Sequence, residues 1–236
     1  IDGLEKLFTL RIDGFDNIYK LIQLISATHQ NIFWVFGCHL ISWNYLNKTI
    51  NMSDYVGYTI KLPELSATDL RKLIELRHNM SGFRMGFVNH QTKKSILNFK
   101  KLGEIELQET LKNEYFEHLK FAVKGNITQA FLYWLVSTVK IEETVIHFDW
   151  EKLPNNSFIK TLSKEKLLIF RVILIENGLS ANELMEILHC DYENARMKLD
   201  QFYDDGLLIK SDDMYFVNPL IYRQVIDELY NINMLH

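Results

Sequence analysis

Cysteine, proline and long apolar runs are scarce in this 236-residue sequence, and each scarcity removes a class of protein. The two cysteines, Cys38 and Cys190, lie far apart and form no C-x-x-C pair, which excludes a disulfide framework and a zinc ribbon and fits a reducing, cytoplasmic setting. Three prolines and ten glycines exclude collagen-like and low-complexity classes. The most apolar window, Ile32 to Ile41, is broken by Gly37 and His39 and falls well short of the roughly twenty residues a bilayer-crossing helix needs. No signal-peptide pattern opens the chain, but it begins on Ile1 rather than Met, and the expectation is that natural sequence precedes it. Neither sign of charge is in large excess: 26 Lys and Arg against 30 Asp and Glu leave −4, which excludes a chain that coats nucleic acid or anionic lipid with its whole surface. Any basic function is local.

Motifs of common chemistries are missing as well. There is no G-x-x-x-x-G-K-[ST] phosphate cradle, since Gly125-Asn126-Ile127-Thr128 lacks the second glycine and the lysine. The eight histidines show neither H-E-x-x-H nor H-x3-H spacing, so no metal cluster is expected. Without a G-x-S-x-G elbow or an electropositive cysteine, nucleophilic catalysis has no candidate.

What is present is a chain with 47% hydrophobic residues, enough to bury a core, and an ordered set of elements. Phe15, Ile18, Tyr19, Ile22 and Ile25 recur at helical steps up to Ser26-Ala27-Thr28. Asn31 to Cys38 is apolar on both faces, which predicts a buried parallel strand covered by helices on two sides. A short helix is expected over Ile41–Ile50, an alternating strand over Tyr58–Leu62, and a helix capped by Ser66. Residues 81–103 lose periodicity and gather Arg84, Lys93, Lys94, Lys100 and Lys101, the pattern of a solvated loop or hairpin. Two helices, over Glu104–Val123 and Thr128–Val139, flank a Lys124-Gly125-Asn126 turn, and Thr144–Phe148 reads as a short strand.

The last part has the plainest grammar. Ser163, Ser180 and Asp191 each precede a helical pattern, and two alternating runs around Ser211-Asp212-Asp213 predict a hairpin before a final helix after Pro219. Three helices and a two-stranded wing make a winged helix, a variant of the helix-turn-helix. The expected fold is mainly α with some β: a strand-and-helix α/β remnant over 1–80, a helical segment with a basic loop over 81–150, and a winged-helix domain over 151–236, of which the resemblance given below implies the first to be a partial α/β core and the second a helical lid.

The residues in this order resemble P-loop ATPases of the AAA+/STAND type, in particular the origin-recognition-like and STAND groups that append a winged helix. Ile1-Asp2-Gly3-Leu4-Glu5-Lys6-Leu7-Phe8 is similar to the end of a Walker B strand, and Phe33 to His39 resembles the sensor-1 strand. Ile60 to Ser66 with Leu70, Leu73, Ile74 and Arg77 looks like the last core strand and the helix into the lid, while Gly125-Asn126 resembles the lid turn. The resemblance implies that the chain is the C-terminal portion of an ATP-binding protein whose phosphate-binding loop lies upstream of Ile1. It implies ATP and Mg²⁺ in the full-length protein, Asp2 holding the Mg²⁺ shell through water, and Glu5 in the place of a catalytic base, since Gly3 stands where a glutamate commonly follows the aspartate. It also implies nucleotide contact by His39, or Cys38 beside it, and by Gly125 and Asn126. Lys48 stands near the position of an arginine finger, and Ile127-Thr128-Gln129 carries no sensor-2 arginine. The implied partners are the N-terminal ATPase half, a second copy, or another protein, with no membrane segment.

Two other classes are to be weighed. A nucleic-acid-binding regulator would use Arg84, Lys93, Lys94, Arg196 and Lys198, but from Lys160 onward 8 cations face 13 acids and the wing tip is Asp212-Asp213, which would repel phosphates. A protein-interaction module would expose aromatics near Trp134 and Trp150.

Overall fold

A computed structural model describes residues 1–89, 103–155 and 157–235. Along the chain run helices α1 (Asp16–Thr28), α2 (Leu40–Ile50) and α3 (Ala67–Asn79), then strand β1 (Arg84–Phe87) and helices α4 (Glu104–Val123) and α5 (Ile127–Val136). Strands β2 (Thr138–Glu142) and β3 (Val145–Phe148) follow, then helices α6 (Lys164–Glu176), α7 (Ala181–Leu188) and α8 (Tyr192–Asp204), strands β4 (Leu208–Ser211) and β5 (Met214–Val217), and helix α9 (Tyr222–Asn231). The protein is thus mainly helical with a few strands in small sheets, as the sequence predicts. Among the described residues, no helix is long and apolar enough to cross a membrane.

Packing divides the chain into two units, Ile1–Lys61 with Ser157–His236, and Leu62–Asn156. The cuts therefore fall elsewhere than at the expected 80/81 and 150/151. The reason lies in α6, whose Leu167, Ile169, Phe170, Val172, Ile173, Leu174 and Ile175 are buried nearly all round. A helix apolar on every side needs cover on every side. It shares one continuous core with Leu4 and Phe8 of the opening, Ile18 and Ile22 of α1, Ile41 and Leu46 of α2, and the apolar faces of α7 to α9. The three predicted caps close its helices: Ser163, Ser180 and Asp191 accept from the backbone N–H of Lys166, Glu183 and Asn194. Ser180 and Glu183 form a reciprocal capping box. β4 and β5 pair antiparallel, from Leu208 opposite Val217 to Ser211 opposite Met214.

The other unit packs α3, α4 and α5 with a three-stranded sheet of order β1-β3-β2, in which β1 runs parallel and β2 antiparallel to β3. Phe87 and Phe148 lie beside Tyr115 and Phe116 of α4, and His78 of α3 meets Trp134 and Phe148 edge-on. The sequence predicts a loop or hairpin at residues 84–87, and they form instead a strand parallel to β3. The strand is four residues long and contains Gly86, where a β-carbon would lie 2.8 Å from Nδ1 of His147, so the signal of a longer alternating run is absent.

Two expected strands do not form. Residues 32–39 are extended but enter no sheet, with Phe33 93% and Val35 64% exposed. Tyr58 to Leu62 is also irregular, with Tyr58 84% and Ile60 76% exposed. The apolar pattern on both faces predicts cover on both faces, and here the 32–36 segment receives it on one: Trp34 and Phe36 stack on each other, 5.9 Å between centroids, and pack on the core. A strand also needs partners at both edges to become a central strand, and among the described residues this segment is hydrogen bonded along one edge.

Candidate functional site

The chain opening runs beside the 35–37 segment in the same direction. The Ile1 nitrogen donates to the Val35 carbonyl at 2.8 Å, the Gly37 N–H to the Ile1 carbonyl at 2.9 Å, and the Leu4 N–H to the Gly37 carbonyl at 2.9 Å. Donation from Ile1 to Val35 and from Gly37 back to Ile1 is the parallel ladder pattern. Gly37 is required by closeness: a β-carbon there would lie 2.4 Å from Oδ1 of Asp2. The Asp2 carboxylate thus lies against bare backbone, exposed, and accepts no hydrogen bond among the described residues. The Trp34 and Phe36 backbone groups, which alternate away from the opening strand, likewise have no hydrogen-bond partner among the described residues.

Just after the crossing, the chain turns through Gly3, whose φ of 74° suits glycine, into a short 3-10 turn over Leu4–Leu7 that buries Glu5. One Glu5 oxygen accepts from the His39 backbone N–H at 3.2 Å and the other from the Asn177 side-chain amide at 3.1 Å. Burial pushes the Glu5 carboxyl up, but the N–H groups of its own residue and of His39, with the Asn177 amide, hold it below the usual carboxylate range. A carboxylate so engaged is a weak base and a good clamp. His39 follows, with Nε2 hydrogen bonded to the Tyr222 hydroxyl at 2.8 Å and Nδ1 buried without a partner among the described residues. Burial lowers the affinity of its imidazole for a proton, and the nearby Glu5 charge opposes this. Burial and Glu5 push the Cys38 thiol up to about 12, which leaves it unreactive, in keeping with the absence of a nucleophile motif.

These contacts join Glu5 and His39 to Asn177 and Tyr222 of the C-terminal module, and Asp2 stands beside Gly37, two residues before His39. Asn177 is legible in the sequence only as a helix terminus; it adopts φ 54° there, and that left-handed turn ends α6. Nothing local announces that its amide reaches a residue 172 positions away.

No known family, curated protein or solved structure matches this chain. Residue roles therefore rest on geometry and on the resemblance in the sequence.

Gly125 and Asn126 belong to the other unit, and their own packing accounts for both. Lys124 and Gly125 take positive φ of 42° and 88°, and a β-carbon at Gly125 would lie 3.2 Å from Cα of Glu64. The Asn126 side chain caps α5 by accepting from the Gln129 N–H at 2.9 Å. Of the alternative nucleic-acid residues, Arg84 lies on β1 with its guanidinium 3.4 Å from the Thr144 hydroxyl, and Lys93 and Lys94 lie outside the described residues. Arg196 pairs with Asp200 at 3.5 Å and Lys198 with Glu165, so the cations of α8 face acids of their own module. Trp134 is buried rather than displayed, and Trp150 stacks on His118 at 3.9 Å.

Among the described residues, no three His, Cys, Asp or Glu side chains converge as a metal site. Asp2 alone cannot chelate an ion, but an exposed carboxylate without a partner suits the holding of a metal-bound water.

Proposed function

We propose that this chain is the C-terminal part of an ATP-binding ATPase of the AAA+/STAND type, in which a helical lid and a winged helix couple nucleotide state to a protein partner. What supports the reading is the parallel hydrogen bonding of residues 1–4 with 35–37, which sets the Asp2 carboxylate beside the end of a second extended segment whose far edge has no hydrogen-bond partner among the described residues. In open parallel α/β sheets ligands sit beyond the carboxyl ends of the strands. The succession α6, α7, α8, β4, β5 has the element order of a winged helix, and its excess of acids favours a protein contact over DNA.

With ATP and Mg²⁺ in place, the ion would supply neutralisation of the phosphate charge, and Asp2 is the residue that would hold one of its waters. Glu5 fixes the His39 backbone N–H and the Asn177 amide, so the strand end and the C-terminal module share one carboxylate. His39, neutral through burial, passes a change at the strand end to Tyr222 of α9 through its hydrogen bond.

The test is ATP turnover by the full gene product. Asp2→Ala is expected to lower Mg²⁺-dependent hydrolysis by roughly 100-fold, the usual scale for loss of one electrostatic group. Turnover unchanged by Asp2→Ala, or no ATP binding by the wild-type product, would overturn the reading.

A further inference from the structure

A concavity of about 290 Å³ lies among α2, α6 and the closing residues Met234 and Leu235, and it differs from the rest of its unit in charge. Among the described residues its lining holds Lys48 and Arg171 and no acid. From Lys160 onward, by contrast, 8 cations face 13 acids. Arg11, Arg196 and Arg223 of the same unit each pair with a carboxylate, whereas Arg171 and Lys48 have no ion-pair partner among the described residues.

Arg171 is nevertheless fixed. Its Nε donates to the Met234 carbonyl at 2.8 Å and its guanidinium carbon stands 5.8 Å from the centroid of the Tyr45 ring. Its terminal N–H groups donate to nothing among the described residues, although the residue is half-buried. A guanidinium held at Nε and by a ring face offers its outer N–H pair to a ligand at little further entropic cost. Asn44 and Thr49 add neutral polar groups, while Ile41, Ile175 and Leu235 are buried and give the concavity an apolar floor.

We infer that this concavity binds an amphipathic anion, an acidic head group on a short apolar chain, with Arg171 and Lys48 on the head group and the floor around Ile41 and Ile175 on the chain. The volume is near the lower end of the range for small-molecule sites, roughly 300–1,000 Å³, which favours a ligand of modest length. A bare inorganic anion would leave the apolar floor unused, and a neutral alcohol would leave the two cations uncompensated. The inference stands independently of the ATPase reading.

Calorimetric titration of the 236-residue chain with octanoate, 1-octanol and inorganic phosphate tests it. Octanoate is expected to bind about 10-fold or more tightly than either of the others, the scale of one charge-assisted contact. Lys48→Met, on an exposed helix face, and Arg171→Met are each expected to weaken octanoate about 10-fold and to leave octanol unchanged. Equal binding of octanoate and octanol, phosphate binding as tight as octanoate, or wild-type octanoate affinity in Lys48→Met would each overturn the proposal.

Discussion

The two stretches that share one unit, residues 1–61 and 157–235, treat their apolar residues in opposite ways. In the C-terminal stretch the large apolar positions of α6 other than Leu168 turn inward, and Phe170 is fully buried against Phe202 with ring centroids 5.3 Å apart. In the N-terminal stretch Phe33, Val35, Tyr58 and Ile60 stand in solvent, on segments whose composition is that of interior strands. Exposed single hydrophobics are ordinary. Alternating ones on an extended segment with a free backbone edge are not, because such an edge is a template for pairing. The two stretches share one core, which takes in nearly all of α6 but covers residues 32–36 on one face alone.

The comparison can be broken by truncating one member of each set. Phe170→Ala removes a buried ring and is expected to cost about 3–5 kcal/mol of unfolding free energy in urea. An intermediate effect belongs to the seam between the stretches, where the Leu10 N–H donates to Glu176 at 2.5 Å. Burial pushes the Glu176 carboxyl from its ordinary 4.5 up to about 7, Glu183 adds to the rise, and the Leu10 N–H and Arg11 oppose it. The folded chain then holds this proton through a range in which the unfolded chain has released it, so stability falls as pH rises from about 4.5 through 7. Glu176→Gln removes that loss. The variant is expected to be more stable than wild type by about 1–2 kcal/mol at pH 8 and equal to it near pH 4, by urea midpoints at the two pH values. The smallest effect is expected for Phe33→Ser, within about 0.5 kcal/mol of wild type, because the ring has nothing to lose in this chain. A cost as large as that of Phe170→Ala would abolish the contrast.

Much of the C-terminal stretch was legible because its signals are local. Ser163, Ser180 and Asp191 cap where their residue types and following apolar positions say they should, and the hairpin lies around Asp212-Asp213. The helix over Glu104–Val123 has the bounds its periodicity predicts. The strands at 31–38 and 58–62 failed for the converse reason: their apolar faces report a neighbourhood, and composition cannot say whether that neighbourhood is present in the same chain. The candidate site divides in the same way. Asp2, Glu5 and His39 are named by a resemblance that short motifs carry, whereas Asn177, Tyr222 and the meeting of Lys48 with Arg171 in one concavity depend on contacts between residues far apart in sequence.

Amide hydrogen exchange at Trp34 and Phe36, compared between this 236-residue chain and the full gene product, tests most directly whether the open edge belongs to a larger α/β core. Both amides are expected to exchange rapidly here and about 1,000-fold or more slowly in the full product, as a strand of a closed sheet requires. Equally rapid exchange in both would contradict it.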